Sequence, residues 1–214
     1  MSSRICITGA TGYLGRALCQ TLDRSRVLAL IRTGGAARLE PSVASRELDV
    51  FDPDQLERAL APGDTLVHLI GTPHPNPRKA AEFQRVDLAS VRASAAAAAR
   101  ARVAHFIYVS VAQPAPVMHA YVEARQAGEA AIAAAGLTAT ILRPWYVLGP
   151  GHRWPYLLLP LYGVAELVPG WRDVARRLGM VTLAQMSRAL LRAIAAPPPS
   201  GTRRVLDVAG IRAA

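Results

Sequence analysis

Three glycines spaced three apart, Gly9, Gly12 and Gly15, interrupt the chain directly after a short β-branched run, Ile5-Cys6-Ile7-Thr8. Beyond them Ala17, Leu18 and Leu22 recur at helical spacing. A strand that turns on glycine straight into a helix leaves unpaired backbone N–H groups and the positive end of a helix dipole at one point, which is what a phosphate needs. In such a turn Gly9 allows the tight bend, Gly12 the close approach of a pyrophosphate, and Gly15 the packing of helix on strand. The other groups able to do chemistry lie far downstream. Ser110 ends an apolar run, and Tyr121 and Arg125, four residues apart, share one face of a helix.

The elements that must position these residues can be read in order. Val27-Leu28-Ala29-Leu30-Ile31 is a continuous apolar run, as in a parallel strand covered on both faces. It ends in Arg32, where an NAD-type site carries an acid for the ribose 2′-hydroxyl. Arginine there, with Arg38 in support, favours a 2′-phosphate, so NADP(H) is expected and NAD(H) is the alternative. Glu47-Leu48-Asp49-Val50 reads as a third strand running into a helix that starts at Asp52 or Pro53. A fourth runs from Asp64 to Gly71, with Gly71 lining the crevice beyond the strand ends and His68 a core histidine. Three alternating prolines make 72–77 a loop. A helix from about Arg78 to Arg102 follows, with a close-packing alanine face at 95–99. His105 to Val111 is a fifth strand and Leu137 onward a sixth, ending in Arg143-Pro144-Trp145-Tyr146. The segment Trp154–Pro169 is apolar but too short and too broken by proline to span a membrane. It reads either as a lid over a pocket or as a patch for a membrane or partner, with Arg172, Arg176 and Arg177 suited to an anionic surface. A helix from Val181 through about Ala195 and a last strand Val205–Val208, separated by Pro197-Pro198-Pro199, complete the chain.

At 214 residues, 51% hydrophobic and 19% charged, the chain has the length and composition of one globular domain, 1–214. The formal charge of +10 is carried by arginine, since Lys79 is the only lysine. The arginines are dispersed without a basic run or interleaved aromatics, which argues against nucleic acid as partner and leaves an anionic cofactor or membrane surface. Cys6 and Cys19 suggest neither a disulfide framework nor a metal site, and the five histidines lack ligand spacing, so no metal is expected. The first strand begins almost at Met1, so no leader is expected and the location reads as cytoplasmic, with membrane-peripheral contact through 154–169 as the variant.

The segment Thr8-Gly9-Ala10-Thr11-Gly12-Tyr13-Leu14-Gly15 resembles the fingerprint of the short-chain dehydrogenase/reductase superfamily, in the form found in its extended and atypical branches, among them epimerase-like and complex I subunit-like members. The resemblance runs through most of the chain and weakens after about Trp154. It implies a single α/β domain of Rossmann-like, doubly wound architecture, about seven mostly parallel strands flanked by helices, with a small C-terminal cap over about 152–180. It also implies that Gly9, Thr11, Gly12, Tyr13, Leu14 and Gly15 hold the cofactor, that Asp49 and Val50 contact adenine, and that Pro144, Trp145 and Tyr146 pass the nicotinamide. The superfamily's active site is Tyr-x-x-x-Lys with an upstream serine. Tyr121 and Ser110 match it, and Arg125 stands where the lysine should. Tyr121 is thereby expected as acid/base, Ser110 as polariser of a carbonyl, and Arg125 as holder of ribose and charge. Gln185 likewise departs from the acid of the family's Val-x-Val-x-Asp-x-Ala stretch. With about 60 residues left after Gly151, a nucleotide-sugar epimerase or dehydratase is disfavoured. The expected function is an NADP(H)-dependent oxidoreductase acting on a small carbonyl or quinone-type substrate. The alternative is a non-catalytic NADP(H)-binding structural or redox-sensing protein attached to a membrane complex.

Overall fold

The computed structural model describes residues 3–150 and 178–214. Strands β1 (Ile5–Thr8), β2 (Val27–Ile31), β3 (Ser45–Glu47), β4 (Thr65–His68), β5 (His105–Val109), β6 (Ala139–Leu142) and β9 (Arg203–Leu206) form one sheet in the order β3-β2-β1-β4-β5-β6-β9. Every adjacent pair is parallel. This is the doubly wound α/β architecture expected from the sequence.

The two-residue period of each strand divides the core. Ile5 and Ile7 of β1 face one hydrophobic cluster and Cys6 the other; Val67 and Leu66 of β4, and Ile107 and Phe106 of β5, divide in the same way. On one face α1 (Tyr13–Thr21), α6 (Leu183–Ala195) and α7 (Val208–Arg212) contribute Leu18, Met186, Leu190 and Ile211. On the other, α2 (Pro53–Glu57), α4 (Ala89–Arg100) and α5 (His119–Ala134) contribute Leu56, Val91, Ala98 and Ile132. Burial on both faces is why the strands read as continuous apolar runs. Cys6 and Cys19 are free, and burial pushes their thiols up to about 12 and 11.

Several boundaries differ from the sequence expectation. β3 stops at Glu47, because the Asp49 carboxylate turns the chain by accepting the Phe51 N–H at 2.9 Å. Asp49 and Val50 therefore follow the strand instead of ending it. β4 stops at His68, opposite Thr8, where its partner β1 gives way to the glycine turn. Gly71 lies three residues beyond. Asp207 and Val208 leave the last strand, since the Asp207 side chain accepts the Gly210 N–H at 2.8 Å and caps α7. The 78–102 helix is composite: α3 (Ala80–Glu82), a π-helical stretch Phe83–Leu88, then α4. A small parallel pair, β7 (Tyr146–Leu148) with β8 (Met180–Thr182), was not anticipated. The Gln185 departure is explained locally. Its side chain accepts the Thr182 N–H at 2.8 Å while Thr182 Oγ1 accepts the Gln185 N–H at 3.1 Å, a capping box opening α6. The apolar stretch Trp154–Pro169, Arg172, Arg176, Arg177 and all of the 152–180 cap except 178–180 lie outside the described residues. No helix among the described residues is long and apolar enough to cross a membrane.

Candidate cofactor and active site

The strand order reverses between β1 and β4, and the glycine turn sits at that switch point. Gly9 has φ +76°, and a methyl group there would come within 2.7 Å of the Leu69 carbonyl carbon, so the turn is pressed against the chain leaving β4. At Gly15 a methyl group would overlap the Gly9 carbonyl and Ala10 backbone. The third glycine thus lets the helix sit on the turn, and not on the strand as the spacing suggested. Gly12 is the N-cap of α1 and offers no side-chain cap, and it is exposed. The first-turn N–H groups are left to a ligand, and a pyrophosphate fits this cradle in both space and charge. Thr11 lies between these glycines in the turn. Arg32 is exposed immediately after β2 and has no side-chain partner among the described residues; exposed Arg38 is close behind it in the chain. Asp49 and Val50 follow the carboxyl end of β3, the place an adenine contact requires.

Beyond the carboxyl ends of β4, β5 and β6 lies a cavity of about 500 Å³. Tyr13 and Leu14 from the glycine turn, Leu69 and Ile70 after β4, Val109 to Val111 at the end of β5, and Pro144 to Val147 after β6 line it, together with Tyr121 and Arg125 of α5. His74, Pro75 and Asn76 of the proline loop also line it. The cavity therefore joins the cofactor turn to Ser110, Tyr121, Pro144 and Trp145. Tyr121 packs on Phe83, with ring centroids 4.9 Å apart, and the Arg125 guanidinium carbon lies 5.2 Å from the Tyr121 ring.

Arg125 lines the cavity and is at the same time bound inward. Its side chain is only 6% exposed, and Nη2 meets the fully buried Asp87 Oδ1 at 2.6 Å. Nη1 donates to the Val109 carbonyl at 2.9 Å and more weakly to Ile70 O and Tyr108 Oη, each at 3.5 Å. Asp87 in turn accepts from Thr72 N at 3.1 Å and Thr72 Oγ1 at 2.5 Å. Burial alone would lower the Arg125 pKa, but it lies above its ordinary value, because the Tyr121 and Tyr108 phenols when ionised at high pH, and the Asp87 carboxylate, favour the charged guanidinium. Gly71 is close because it must be: a methyl group there would overlap the Arg125 guanidinium. The arginine thus ties the ends of β4 and β5 to the π-helical turn, while its Nε has no hydrogen-bond partner among the described residues. The corresponding role for Gly71 is room for this pair, and it does not line the cavity.

Ser110 is similarly engaged. Its hydroxyl donates to Glu129 Oε1 at 2.6 Å, and the same carboxylate accepts from Gln113 Nε2 at 2.7 Å and from Arg143 Nε and Nη2 at 3.0 and 2.5 Å. His68 is a satisfied core histidine, as expected. Thr8 Oγ1 at 3.0 Å and Ser90 Oγ at 3.3 Å flank its ring, and burial, with Arg125 nearby, pushes its pKa down to about 3. Among the described residues no cluster of histidine, cysteine and acid could hold a metal. Sequence reading missed Asp87 and Glu129. A legible signal existed for the first: an acid between Val86, Leu88 and Val91 on an apolar helical face needs a buried cation.

A family model described as NAD(P)H-binding matches residues 9–153. A ceramide reductase of Caulobacter vibrioides is 34% identical over 179 residues, which are 80% of this chain and 55% of that protein, so the chain spans about half the length of this relative. In three dimensions the chain is similar to MoeE5 in complex with UDP-glucuronic acid and NAD, with TM-score 0.69, 21% identity, and coverage of 95% of this chain and 75% of that one. It is also similar to the UDP-glucuronic acid 4-epimerase of Bacillus cereus in complex with NAD, with TM-score 0.68, 18% identity, and coverage of 95% and 77%. At those identities the structures speak for the fold. The glycine turn, the parallel sheet around it and the matched family model together place this chain in the NAD(P)H-binding family, on a Rossmann fold.

Proposed function

We propose that the protein is an NADPH-dependent reductase of a small, largely apolar carbonyl or quinone-type compound. The observation that carries this reading is the position of Tyr121. Its side chain lines the same cavity as Tyr13 and Leu14 of the glycine turn, so a phenol and a nicotinamide bound from that turn can share one substrate. When bound, a reduced nicotinamide would supply a hydride to the carbonyl carbon. Tyr121 supplies the proton to the carbonyl oxygen, which completes the conversion of carbonyl to alcohol. Leu69, Ile70, Val109, Val111, Pro144 and Trp145 give the cavity an apolar wall, which suits an apolar substrate better than a sugar nucleotide. The name of the Caulobacter vibrioides relative supports reduction as the reaction class. Arg32, at the end of β2 and without a side-chain partner among the described residues, supports NADPH over NADH; the nearby Glu47 carboxylate accepts the Gly34 N–H at 3.0 Å.

A second reading keeps the cofactor and drops the chemistry. It is favoured by two observations: Arg125 is tied to Asp87, and the Ser110 proton to Glu129. In that reading the protein holds NADP(H) for structure or redox sensing, and 154–169 docks it on a membrane or partner. NADPH consumption by the purified protein, offered a quinone and a dicarbonyl probe, separates the two. Consumption well above background supports the reductase. Tight NADPH binding with no consumption supports the holder.

A further inference from the structure

The polar groups around Ser110 carry information about the substrate. Serine has one proton and two lone pairs, and a carboxylate ionised between guanidinium donors can only accept. The 2.6 Å contact from Ser110 Oγ to Glu129 Oε1 is therefore a donated, charge-assisted hydrogen bond that uses the only proton Ser110 has. Glu129 cannot turn away to release it. Its carboxylate, with the side chain 12% exposed, is clamped by both Nε and Nη2 of Arg143 and by Gln113 Nε2. A substrate carbonyl at Ser110 would have to break this bond, because a carbonyl brings no donor of its own. What Ser110 offers the cavity is an acceptor.

We infer that Glu129 fixes Ser110 as a hydrogen-bond acceptor, so that the site takes a ketone bearing an adjacent amide N–H or hydroxyl: Tyr121 addresses the carbonyl oxygen and Ser110 the neighbouring donor. Glu129 is thus a specificity-determining residue that acts through Ser110. The inference rests on the reductase reading for the part assigned to Tyr121. The part assigned to Ser110 needs only that the ligand enters the cavity.

The test uses a matched pair of probes, an apolar α-acetamido ketone and its N-methyl counterpart, which differ in a single N–H. Their kcat/KM values with NADPH and the dissociation constants of the corresponding reduced alcohols for the NADPH-loaded protein are measured together. The parent should favour the N–H member by about fivefold to tenfold in both readouts. Ser110→Ala should remove the preference while lowering the melting temperature modestly through loss of the bond to Glu129. The double variant Glu129→Leu/Arg143→Leu leaves no unpaired ion and frees the serine proton, and it should erase or invert the preference. If neither ketone is reduced, the reductase reading fails, while binding of the alcohols still reads Ser110. Equal handling of the pair by the parent, or a preference that survives Ser110→Ala, overturns the inference.

Discussion

Arg125 shows how far one residue can be read from a pattern. Its place four residues after Tyr121 was legible, and so was its departure from lysine; its partner was not, because Asp87 is 38 positions upstream and only the folded chain brings them together at 2.6 Å. A guanidinium meets Asp87 and the Val109 carbonyl through separate nitrogens of its planar fork, a span that the single nitrogen of an ammonium does not reproduce. Arg125→Lys should therefore lower stability by about 1–3 kcal/mol instead of restoring a better active site. Asp87→Asn, which leaves a buried cation without its counter-ion, should cost about 3–5 kcal/mol. Urea unfolding of the two variants measures both, and a stabilised Arg125→Lys would contradict the bolt-like role. Arg32 was read correctly as to place, at the exposed end of β2. A charge-assisted contact to a 2′-phosphate is worth about 1.5–3 kcal/mol, so the parent should bind NADPH about tenfold to a hundredfold more tightly than NADH, and Arg32→Ala should close the gap. Equal affinities in the parent would remove the assignment.

At the scale of elements, the strand–turn–helix of the glycine segment was fully legible, since backbone geometry there is dictated by residues adjacent in sequence. The reason for the third glycine was not, because it depends on the helix folding back against the Gly9 carbonyl. Gly15→Ala forces that carbonyl or the helix to move. Expected results are a lower melting temperature and NADPH affinity weakened by about tenfold or more, read by titration calorimetry. Unchanged affinity would mean that the phosphates sit elsewhere. The strand ends were least legible, for a common cause. Asp49 and Asp207 both use their carboxylates to turn or cap the chain, which competes with extending the strand. The π-helical turn at Phe83–Leu88 escaped notice because helical periodicity does not register one wider turn.

For the whole molecule, apolar runs pointed to parallel strands covered on both faces, and the family resemblance of the glycine segment supplied the doubly wound layout. They could not reveal the β7–β8 pair, whose two strands are far apart in the sequence. The same sheet buries two imidazoles. Burial pushes His68 down to about 3 and His105, beside Thr140, down to about 4. Both folded values lie below the unfolded value of about 6.5, so stability is at its full value above about pH 6.5 and is lost as the pH falls, when the unfolded chain binds protons that the folded one refuses. Each histidine should contribute a loss of about 1 kcal/mol per pH unit between about pH 6.5 and 5. Urea titrations across that interval should show this slope, and a flat profile would place the imidazoles in solvent.

The account as a whole turns on the phenol that lines the cavity, and Tyr121→Phe tests it most directly. The substitution keeps the ring that packs on Phe83 and removes only the hydroxyl. NADPH dissociation constant and NADPH consumption, measured on the same preparation with a substrate that the parent reduces, give the answer. The account predicts unchanged NADPH affinity with turnover reduced by about a hundredfold or more. Turnover equal to that of the parent would contradict it.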